Sequence, residues 1–176
     1  SVSALLQQQA QGAIRISTSV AFGRRVMAPL VMEFMRMNPH LQIELNCDDR
    51  YVNLVEQGVD VAIRMGKLAD STLGSSYLGL NPWVLVASPD YLQEHGLPRR
   101  PEDLNRHNAL IYSPVQGDDR WILTAPDGKT HSIAMRGRLR SNNLSTLLAA
   151  ARQGFGIAAL PQYVAHTSLT QKAIVP

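Results

Sequence analysis

The stretch "AIRISTSVAFGRRVMAPLVMEFMRMNPHLQIELN" at residues 13–46 decides the fold class. It begins with a short strand pattern at residues 13–17, continues into a helical repeat over residues 22–38, and ends in the alternating strand pattern of residues 41–46. A short helix and a further strand, "VDVAIRM" at residues 59–65, come next. This β-α-β-α-β order predicts a parallel sheet with helical crossovers.

The first long helix has an apolar face at a spacing close to the 3.6-residue period, formed by Val26, Leu30, Phe34 and Met37. We expect this face to point inward, with the charged residues Arg24, Arg25, Glu33 and Arg36 outside. Pro29 conflicts mildly with the pattern, since proline is tolerated only in the first turns. The second, shorter helix is predicted for "YVNLVEQG" at residues 51–58, where the glycine ends it.

The rest of the chain predicts a second α/β lobe. Strands are expected at residues 82–88, 108–113 and 155–161, helices at 89–96, 142–154 and 162–169, and a hairpin over 120–141 that turns at Asp127-Gly128. We place the first lobe at residues 12–84 and the second at residues 85–176, with a strand that crosses from one to the other. The fold class is therefore α/β, with two Rossmann-like lobes.

Composition excludes several classes of protein. Of the 176 residues, 45% are hydrophobic and 18% are charged, which is typical of a globular protein and excludes disorder. The formal charge of +3 is far below the concentrated basic footprint of a DNA-binding module. The single cysteine, Cys47, excludes an intrachain disulfide, and no apolar run reaches the ~20 residues of a membrane helix. The first residues lack the features of a signal peptide, so we expect a cytoplasmic protein without a membrane partner.

Two opposite charges interrupt the apolar strand "VDVAIRMG" at residues 59–66. Asp60 and Arg64 share one face of that strand but lie roughly 13 Å apart, too far to pair. Asp60, at the start of the strand, is expected to bind a main-chain group or an outer charge. Arg64 is near the carboxyl end, where ligands bind in open α/β sheets, so it is either a ligand contact or part of an ion pair.

Three hydroxyl residues, Ser17, Thr18 and Ser19, lie where the first strand gives way to the first helix. The unpaired N–H groups and the positive dipole end of a helix favour a carboxylate or phosphate at such a position. One of the hydroxyls could instead only cap the helix. Asn142 and Asn143 pose the same alternatives in the second lobe, where one asparagine caps the helix that follows and the other is available to a ligand.

No pattern of residues indicates catalysis, a metal or a cofactor. "GFGIAA" at residues 154–159 resembles a dinucleotide fingerprint, but it follows a helix and precedes a strand, which is the reverse of the required order. The five histidines have no metal-ligand spacing, and there is neither a nucleophile elbow nor a phosphate-binding loop. Arg136, Arg138 and Arg140 share a strand face, and a solvated face is a better interpretation than contact with nucleic acid.

Four stretches together resemble the effector-binding domain of LysR-type transcriptional regulators. They are "GAIRIS…FGRRVMAPLVMEFMRMNPHLQIEL", "LVEQGVDVAIRMG", "VLVASPDYLQEHGLPRRPEDLNRHNALIY" and "GFGIAALPQY", and they occur in the family's order from about residue 12 to residue 166. The resemblance implies a fold like that of type 2 periplasmic binding proteins, with two α/β lobes joined by crossover strands and an inducer cleft between them.

The resemblance also implies the residues that bind the inducer. Carried over by position, they are Thr18, Ser19, Val20, Asp49, Arg50, Ile111, Tyr112, Asn142 and Asn143, with Arg64 just behind the rim. Residues 1–11 would be the end of a linker helix that follows an N-terminal winged helix-turn-helix, through which the family binds promoter DNA. The family normally finishes the first lobe with another strand and helix, whereas this sequence ends in "TQKAIVP".

The resemblance therefore implies the sensing domain of a bacterial transcription regulator. A small molecule, with an anion as one candidate, is expected to bind and to shift the lobes in a homodimer or homotetramer. Two alternatives are a solute-binding protein of a transport system, which would need a secretory signal, and a small α/β enzyme, which would need a catalytic set.

Overall fold

The computed structural model describes residues 11–50, 58–65, 74–113, 119–173 and 175–176. The chain divides into two compact units, Ser1–Gly79 and Leu80–Pro176. The sequence placed the change of lobes between residues 84 and 85, which would cut through a strand that the structure assigns wholly to unit 2. The predicted linker helix and the predicted helix at residues 51–58 lie outside the described residues, except for residue 11 and Gly58.

Unit 1 is built on a three-stranded parallel sheet in the order β2-β1-β3. The strands are β1 (Gly12–Thr18), β2 (Leu41–Cys47) and β3 (Val61–Ile63). In the register, Thr18 lies opposite Cys47 on one side and Ile63 on the other, so the carboxyl ends of all three strands meet at one edge. The predicted parallel arrangement of the first lobe is confirmed.

A continuous helical run, α1, connects β1 to β2. It consists of an α-helical start at Val20–Phe22, a π-helical segment at Gly23–Met27 and an α-helix at Ala28–Met37. Pro29 has no N–H to donate in the α-helical pattern, and it falls in the first turn after the wider π segment. The conflict at Pro29 is therefore accommodated without a break.

The predicted packing of the apolar face of α1 is wrong. Leu30, Phe34 and Met37 are 54%, 43% and 59% exposed, and the segment Ala28–Met37 contains no buried residue. The helical period was predicted correctly, because it depends on neighbours along the chain. Burial depends on what packs against the helix, and the buried residues of α1, Ala21 and Gly23, both lie in its first turns.

Unit 2 contains the remaining elements. Its strands are β4 (Trp83–Val86), β5 (Asn108–Tyr112), β6 (Arg120–Thr124), β7 (Thr130–Ala134), β8 (Arg136–Ser141) and β9 (Ile157–Pro161), its α-helices are α2 (Pro89–His95), α3 (Leu144–Arg152) and α4 (Gln162–Thr170), and a 3-10 helix spans Pro101–Arg106. Each predicted strand and helix of the second lobe is present.

The main sheet of unit 2 has the order β4-β9-β5-β8, in which only β4 is antiparallel to its neighbour. β6 and β7 form a separate antiparallel hairpin that turns at Asp127-Gly128, as predicted. The predicted hairpin over residues 120–141 is too long, however, because the chain after Ala134 leaves its partner. It continues as β8, which pairs with β5 in parallel.

One apolar cluster joins the hairpin to the main sheet of unit 2. It includes Tyr91 of α2, Ile111 of β5, Ile133 of β7 and Ile157 of β9, all less than a tenth exposed. Leu110, Leu147 and Leu160 are buried almost completely. Since burial of each large aliphatic side chain contributes about 1.5–3 kcal/mol, these residues fix β5, β9 and α3 against one another. The turn between β8 and α3, which contains Asn142 and Asn143, is thus attached to this packed core.

Candidate ligand-binding site

The carboxyl edge of the unit 1 sheet is a short hydroxyl-rich turn between β1 and α1. The Asp48 amide donates to the Thr18 carbonyl at 2.9 Å, which extends the pairing of β1 and β2 one residue past their ends. Gly23 allows α1 to approach closely, because a Cβ there would overlap Cys47 Sγ and lie 2.8 Å from the Thr18 Cγ2 methyl. The first turn of α1 is therefore held directly against the ends of β1 and β2.

Arg64 connects three segments of this edge. Its guanidinium donates to the Ser17 hydroxyl and to the Asp48 main-chain carbonyl, each at 2.7 Å. Within the described residues no carboxylate forms an ion pair with this cation, which is partly buried. The sequence left a ligand contact and an ion pair open for Arg64. In the structure its guanidinium joins β1 and the turn after β2 to the end of β3, and the ligand contact stays a prediction.

Asp60 binds a main-chain group, as its position at the start of the strand predicted. Its carboxylate accepts from the Arg15 main-chain amide at 2.9 Å, and its own amide donates to the Arg15 carbonyl at 2.9 Å. The aspartate thus continues the pairing of β1 with β3 just before β3 begins. The two charges of "VDVAIRMG" act at opposite ends of the same short strand.

The N-terminus of α1 is capped by a residue from outside the helix. Asp49 Oδ1 accepts from the Val20 amide at 3.0 Å, whereas the Ser19 side chain makes no capping hydrogen bond. The first turn of α1 contains no acidic residue, so the Asp49 carboxylate supplies the negative charge that a helix N-terminus favours. The prediction that a hydroxyl caps this helix is not what the structure shows.

Two of the predicted hydroxyls are buried without a hydrogen-bond partner in the described part of the chain. They are Thr18 Oγ1, in the last residue of β1, and Ser19 Oγ, in the next residue, just before α1. Thr18 as a whole is 0% exposed. Because a buried hydroxyl without a partner costs about 1–3 kcal/mol, these atoms favour a ligand or water that supplies the missing bonds.

The turn after β2 carries a tight ion pair. Arg50 donates to the Asp48 carboxylate at 2.9 Å, and its main-chain amide donates to the same group at 2.9 Å. The side-chain hydrogen bond from Arg50, followed by the main-chain bond, lowers the pKa of Asp48 to about 2. The Arg50 side chain is otherwise exposed, so the predicted contact residue Arg50 is accessible to a ligand while it balances the charge of Asp48.

In unit 2 the end of β8 and the start of α3 form a compact polar turn. Asn143 Oδ1 accepts from the Thr146 amide at 2.9 Å and is the N-cap of α3, while the Asn143 amide donates to Ser141 Oγ at 3.0 Å. Asn142 is exposed. Of the two predicted roles, the cap is thus taken by Asn143, while a ligand contact by the exposed Asn142 stays a prediction.

The end of β5 lies next to that turn. The Ser113 amide donates to the Ser141 carbonyl at 2.9 Å, so the ends of β5 and β8 are joined. The Tyr112 ring is partly exposed and lies 6.0 Å from the Trp83 ring, whereas Ile111 is only 6% exposed and belongs to the apolar cluster. Of the two predicted β5 residues, Tyr112 has a partly exposed side chain at this edge, whereas Ile111 is buried and pairs with Arg140 of β8.

Each unit therefore brings its own predicted residues together, and sequence analysis missed several neighbours that position them. Asp48, Ser141 and Trp83 were not predicted. The signals for Asp48 and Ser141 were present, since each lies beside a predicted residue at the carboxyl end of a strand. Trp83 could not be found in this way, because its contact with Tyr112 joins strands that are not neighbours in the sheet.

Among the described residues, no group of three or more His, Cys, Asp or Glu side chains could hold a metal ion. No helix in the same residues has the length and apolar character needed to cross a membrane.

The sequence matches the model of the LysR substrate binding domain over residues 7–176. It is 35% identical over 159 residues to an uncharacterised HTH-type transcriptional regulator of Haemophilus influenzae, with 90% of this chain and 55% of the relative aligned. It is 36% identical over 150 residues to the HTH-type transcriptional activator AaeR of Escherichia coli, with 85% and 48% aligned. The chain thus spans about half the length of the curated relatives that it matches.

Comparison with solved structures also finds similarity to LysR-type transcriptional regulators. The full-length virulence activator AphB of Vibrio cholerae superposes with a TM-score of 0.84 at 31% identity, covering 99% of this chain and 60% of that one. The regulatory domain of CrgA from Neisseria meningitidis superposes with a TM-score of 0.81 at 25% identity, covering 95% of this chain and 81% of that domain. The similarity therefore covers the regulatory part of these proteins.

Proposed function

The chain belongs to the LysR substrate-binding domain family, with its type 2 periplasmic-binding-protein-like α/β fold, and we propose that it senses a small effector for a bacterial LysR-type transcriptional regulator. Its relatives are named as transcriptional regulators, so the alternative of a transport protein is not favoured. We further propose that the whole regulator acts in the cytoplasm, binds promoter DNA through an N-terminal winged helix-turn-helix outside this chain, and forms a homodimer or homotetramer.

One observation carries the assignment of the ligand-binding residues in unit 1. Thr18 Oγ1 and Ser19 Oγ are buried hydroxyls that lack partners in the described residues, at the turn where α1 presents its positive end. Arg64 adds a positive charge within hydrogen-bond reach of Ser17. Hydroxyl donors, a helix N-terminus and a guanidinium together favour a small ligand with an acidic group.

The proposal assigns one set of contact residues to each unit. The set in unit 1 is Ser17, Thr18, Ser19, Val20, Asp49, Arg50 and Arg64, and the set in unit 2 is Ile111, Tyr112, Asn142 and Asn143. In unit 2 the aromatic ring of Tyr112 and the exposed amide of Asn142 suit the apolar and polar parts of a small organic acid. An effector can change the action of the regulator only by binding one conformation more tightly than another.

Thermal-shift screening with small organic acids tests this proposal, on the wild-type chain and on Ser19→Ala and Asn142→Ala separately. The matched control is Ser145→Ala, which removes a hydroxyl from α3 next to the cap but outside the proposed set. We expect at least one acid to raise the melting temperature of the wild type and the control, and to lose most of this effect in both site variants. An acid that stabilises the wild type and both site variants equally would show that the assigned residues are not the site.

A further inference from the structure

We propose that Asp49 is an internal competitor for the effector, whose carboxylate occupies the position at the N-terminus of α1 that an acidic group of the effector takes when it binds. This inference rests on the proposed function, because it concerns the regulation of the same site. It goes beyond that function because Asp49 would compete with the effector for the Val20 amide, whereas an ordinary contact residue would help to hold the effector. Removal of Asp49 should strengthen the binding of an anion rather than weaken it.

The geometry gives Asp49 the position of a bound anion. Asp49 Oδ1 lies 3.0 Å from the Val20 nitrogen, which is the first amide of the helical run α1. A carboxylate there interacts favourably with the helix dipole, as a bound carboxylate from solution would. Asp49 comes from the turn after β2, 29 residues along the chain from Val20, and its side chain is exposed, so it can move into solvent without opening a core.

The charges around the turn favour exchange over simultaneous binding. The Asp48 carboxylate is already paired with Arg50, and the Arg64 guanidinium is bonded to a hydroxyl and a main-chain carbonyl. With Asp49 in place, this edge has no net charge, because its two aspartates balance its two arginines, Arg50 and Arg64. An incoming carboxylate beside Asp49 would place two like charges close together, whereas replacement of Asp49 keeps the local charge balanced.

The buried hydroxyls point to a ligand and show that Asp49 alone does not complete the site. Thr18 is 0% exposed, and neither its Oγ1 nor Ser19 Oγ has a hydrogen-bond partner in the described residues while Asp49 occupies the Val20 amide. A capping residue with a purely structural role would be expected to leave no such buried donors next to it. An effector with an acidic group and a neighbouring polar atom could take the Val20 amide and one of these hydroxyls together.

The experiment uses acetate as the anionic probe and acetamide as its neutral analogue, with the wild-type chain labelled with nitrogen-15. The backbone amide resonance of Val20 reports directly on the hydrogen bond, and titration of each probe gives a dissociation constant. Asp49→Ala removes the competitor, and Asp49→Asn keeps an acceptor but not the charge. Asp90→Ala is the matched control, because Asp90 is an exposed aspartate in the first turn of α2 in the other unit.

We expect the Val20 resonance to shift in Asp49→Ala and to return towards its wild-type position when acetate is added. Acetate should bind Asp49→Ala about three- to tenfold more tightly than the wild type, with Asp49→Asn between them, as the strength of a carboxylate at a helix N-terminus implies. Acetamide should show no such difference, and Asp90→Ala should behave as the wild type.

Three results would overturn the inference: a Val20 resonance unchanged in Asp49→Ala, acetate that binds Asp49→Ala no more tightly than the wild type, or no binding of acetate to any variant at this amide. The proposed function is judged separately. An organic acid whose stabilising effect depends on Ser19 and Asn142 supports the function even if Asp49 proves to be only a cap.

Discussion

At the scale of single residues, the carboxyl edge of unit 1 depends on one cation that joins three segments. The two hydrogen bonds of Arg64 fix the end of β1 and the turn after β2 relative to the end of β3. Both bonds use the planar guanidinium, whose donors have fixed directions. The positions of Ser17 and of the turn that carries Asp49 therefore depend on this side chain being an arginine, beyond its charge.

Arg64→Lys should lower the free energy of unfolding of unit 1 by about 1–2 kcal/mol, since a lysine keeps the charge but lacks the two separate nitrogens that bond the two acceptors. Urea denaturation followed by a probe in unit 1 measures this change. Arg36→Lys, on the exposed part of α1, is the control and should be neutral within about 0.5 kcal/mol. If Arg64→Lys proves as stable as the control, the two hydrogen bonds do not hold the edge together.

A second residue-scale feature is the contact between Tyr91 and His107 in unit 2. The Tyr91 hydroxyl lies 2.9 Å from His107 Nδ1 and accepts from the Asn108 amide at 3.2 Å, so a neutral His107 is the natural acceptor for the tyrosine proton. Burial lowers the pKa of His107, and the nearby His95 and Arg106 lower it further, against an opposing effect of Asp103. The folded state thus favours the neutral imidazole.

The lowered pKa of His107 makes stability depend on pH. The stabilising effect of the neutral imidazole is complete above the unfolded pKa of about 6.5, and it is lost as the pH falls from there through the lower folded pKa. The free energy of unfolding should therefore decrease over this range in the wild type, and His107→Gln should show a smaller decrease. His166→Gln, at an exposed site in α4, serves as the control. An equal pH dependence in wild type and His107→Gln would contradict the assignment.

At the scale of elements, β8 shows which features of this fold are local and which are not. The alternation of "RGRLRS" predicts a strand, but it does not reveal whether that strand continues the hairpin or joins another sheet. The choice is made by the pairing with β5, where Gly137 lies so close that a Cβ would overlap the Ala109 carbonyl oxygen. The same limitation applies to α1, whose period was predictable while the exposure of Leu30 and Phe34 was not.

Gly137→Ala should destabilise unit 2 by about 2–3 kcal/mol, because the overlap is with main-chain atoms that cannot rotate away. The added methyl should push β8 from β5 and disturb the Ser141–Asn143 turn at its end, so the Asn143 amide resonance should shift as well. Gly74→Ala is a suitable control, since a Cβ there meets nothing within 4 Å. Thermal unfolding measures the loss, and a stability equal to that of Gly74→Ala would show that the strands tolerate the added carbon.

At the scale of the whole molecule, the described parts of the two units differ in how many buried hydrophobic residues they contain. Ala21 and Leu41 are the buried hydrophobic residues found in the described part of unit 1, whereas unit 2 contains eighteen of the twenty such residues in the described ranges. The order of strands and helices in the sequence predicts two α/β lobes in series. It could not predict this imbalance, nor the binding of Val20 by Asp49, because both depend on contacts between residues far apart in the sequence.

The imbalance predicts that the units differ in stability. Since each large buried side chain contributes about 1.5–3 kcal/mol, residues 80–176 expressed alone should fold and unfold in one cooperative urea transition, while residues 11–79 alone should not.

Within the intact chain, hydrogen exchange should be slowest for the amides of β5, β9 and α3, and faster for those of β1 and β2. Circular dichroism and exchange mass spectrometry provide the measurements. A fragment of residues 80–176 without a cooperative transition, or β1 amides protected as strongly as those of β5, would show that unit 1 is stabilised by interactions other than the buried side chains described for it. The order of protection also matters for sensing, because the less stable unit carries the turn at which Asp49 is proposed to exchange with the effector, and local opening there should require less free energy than in unit 2.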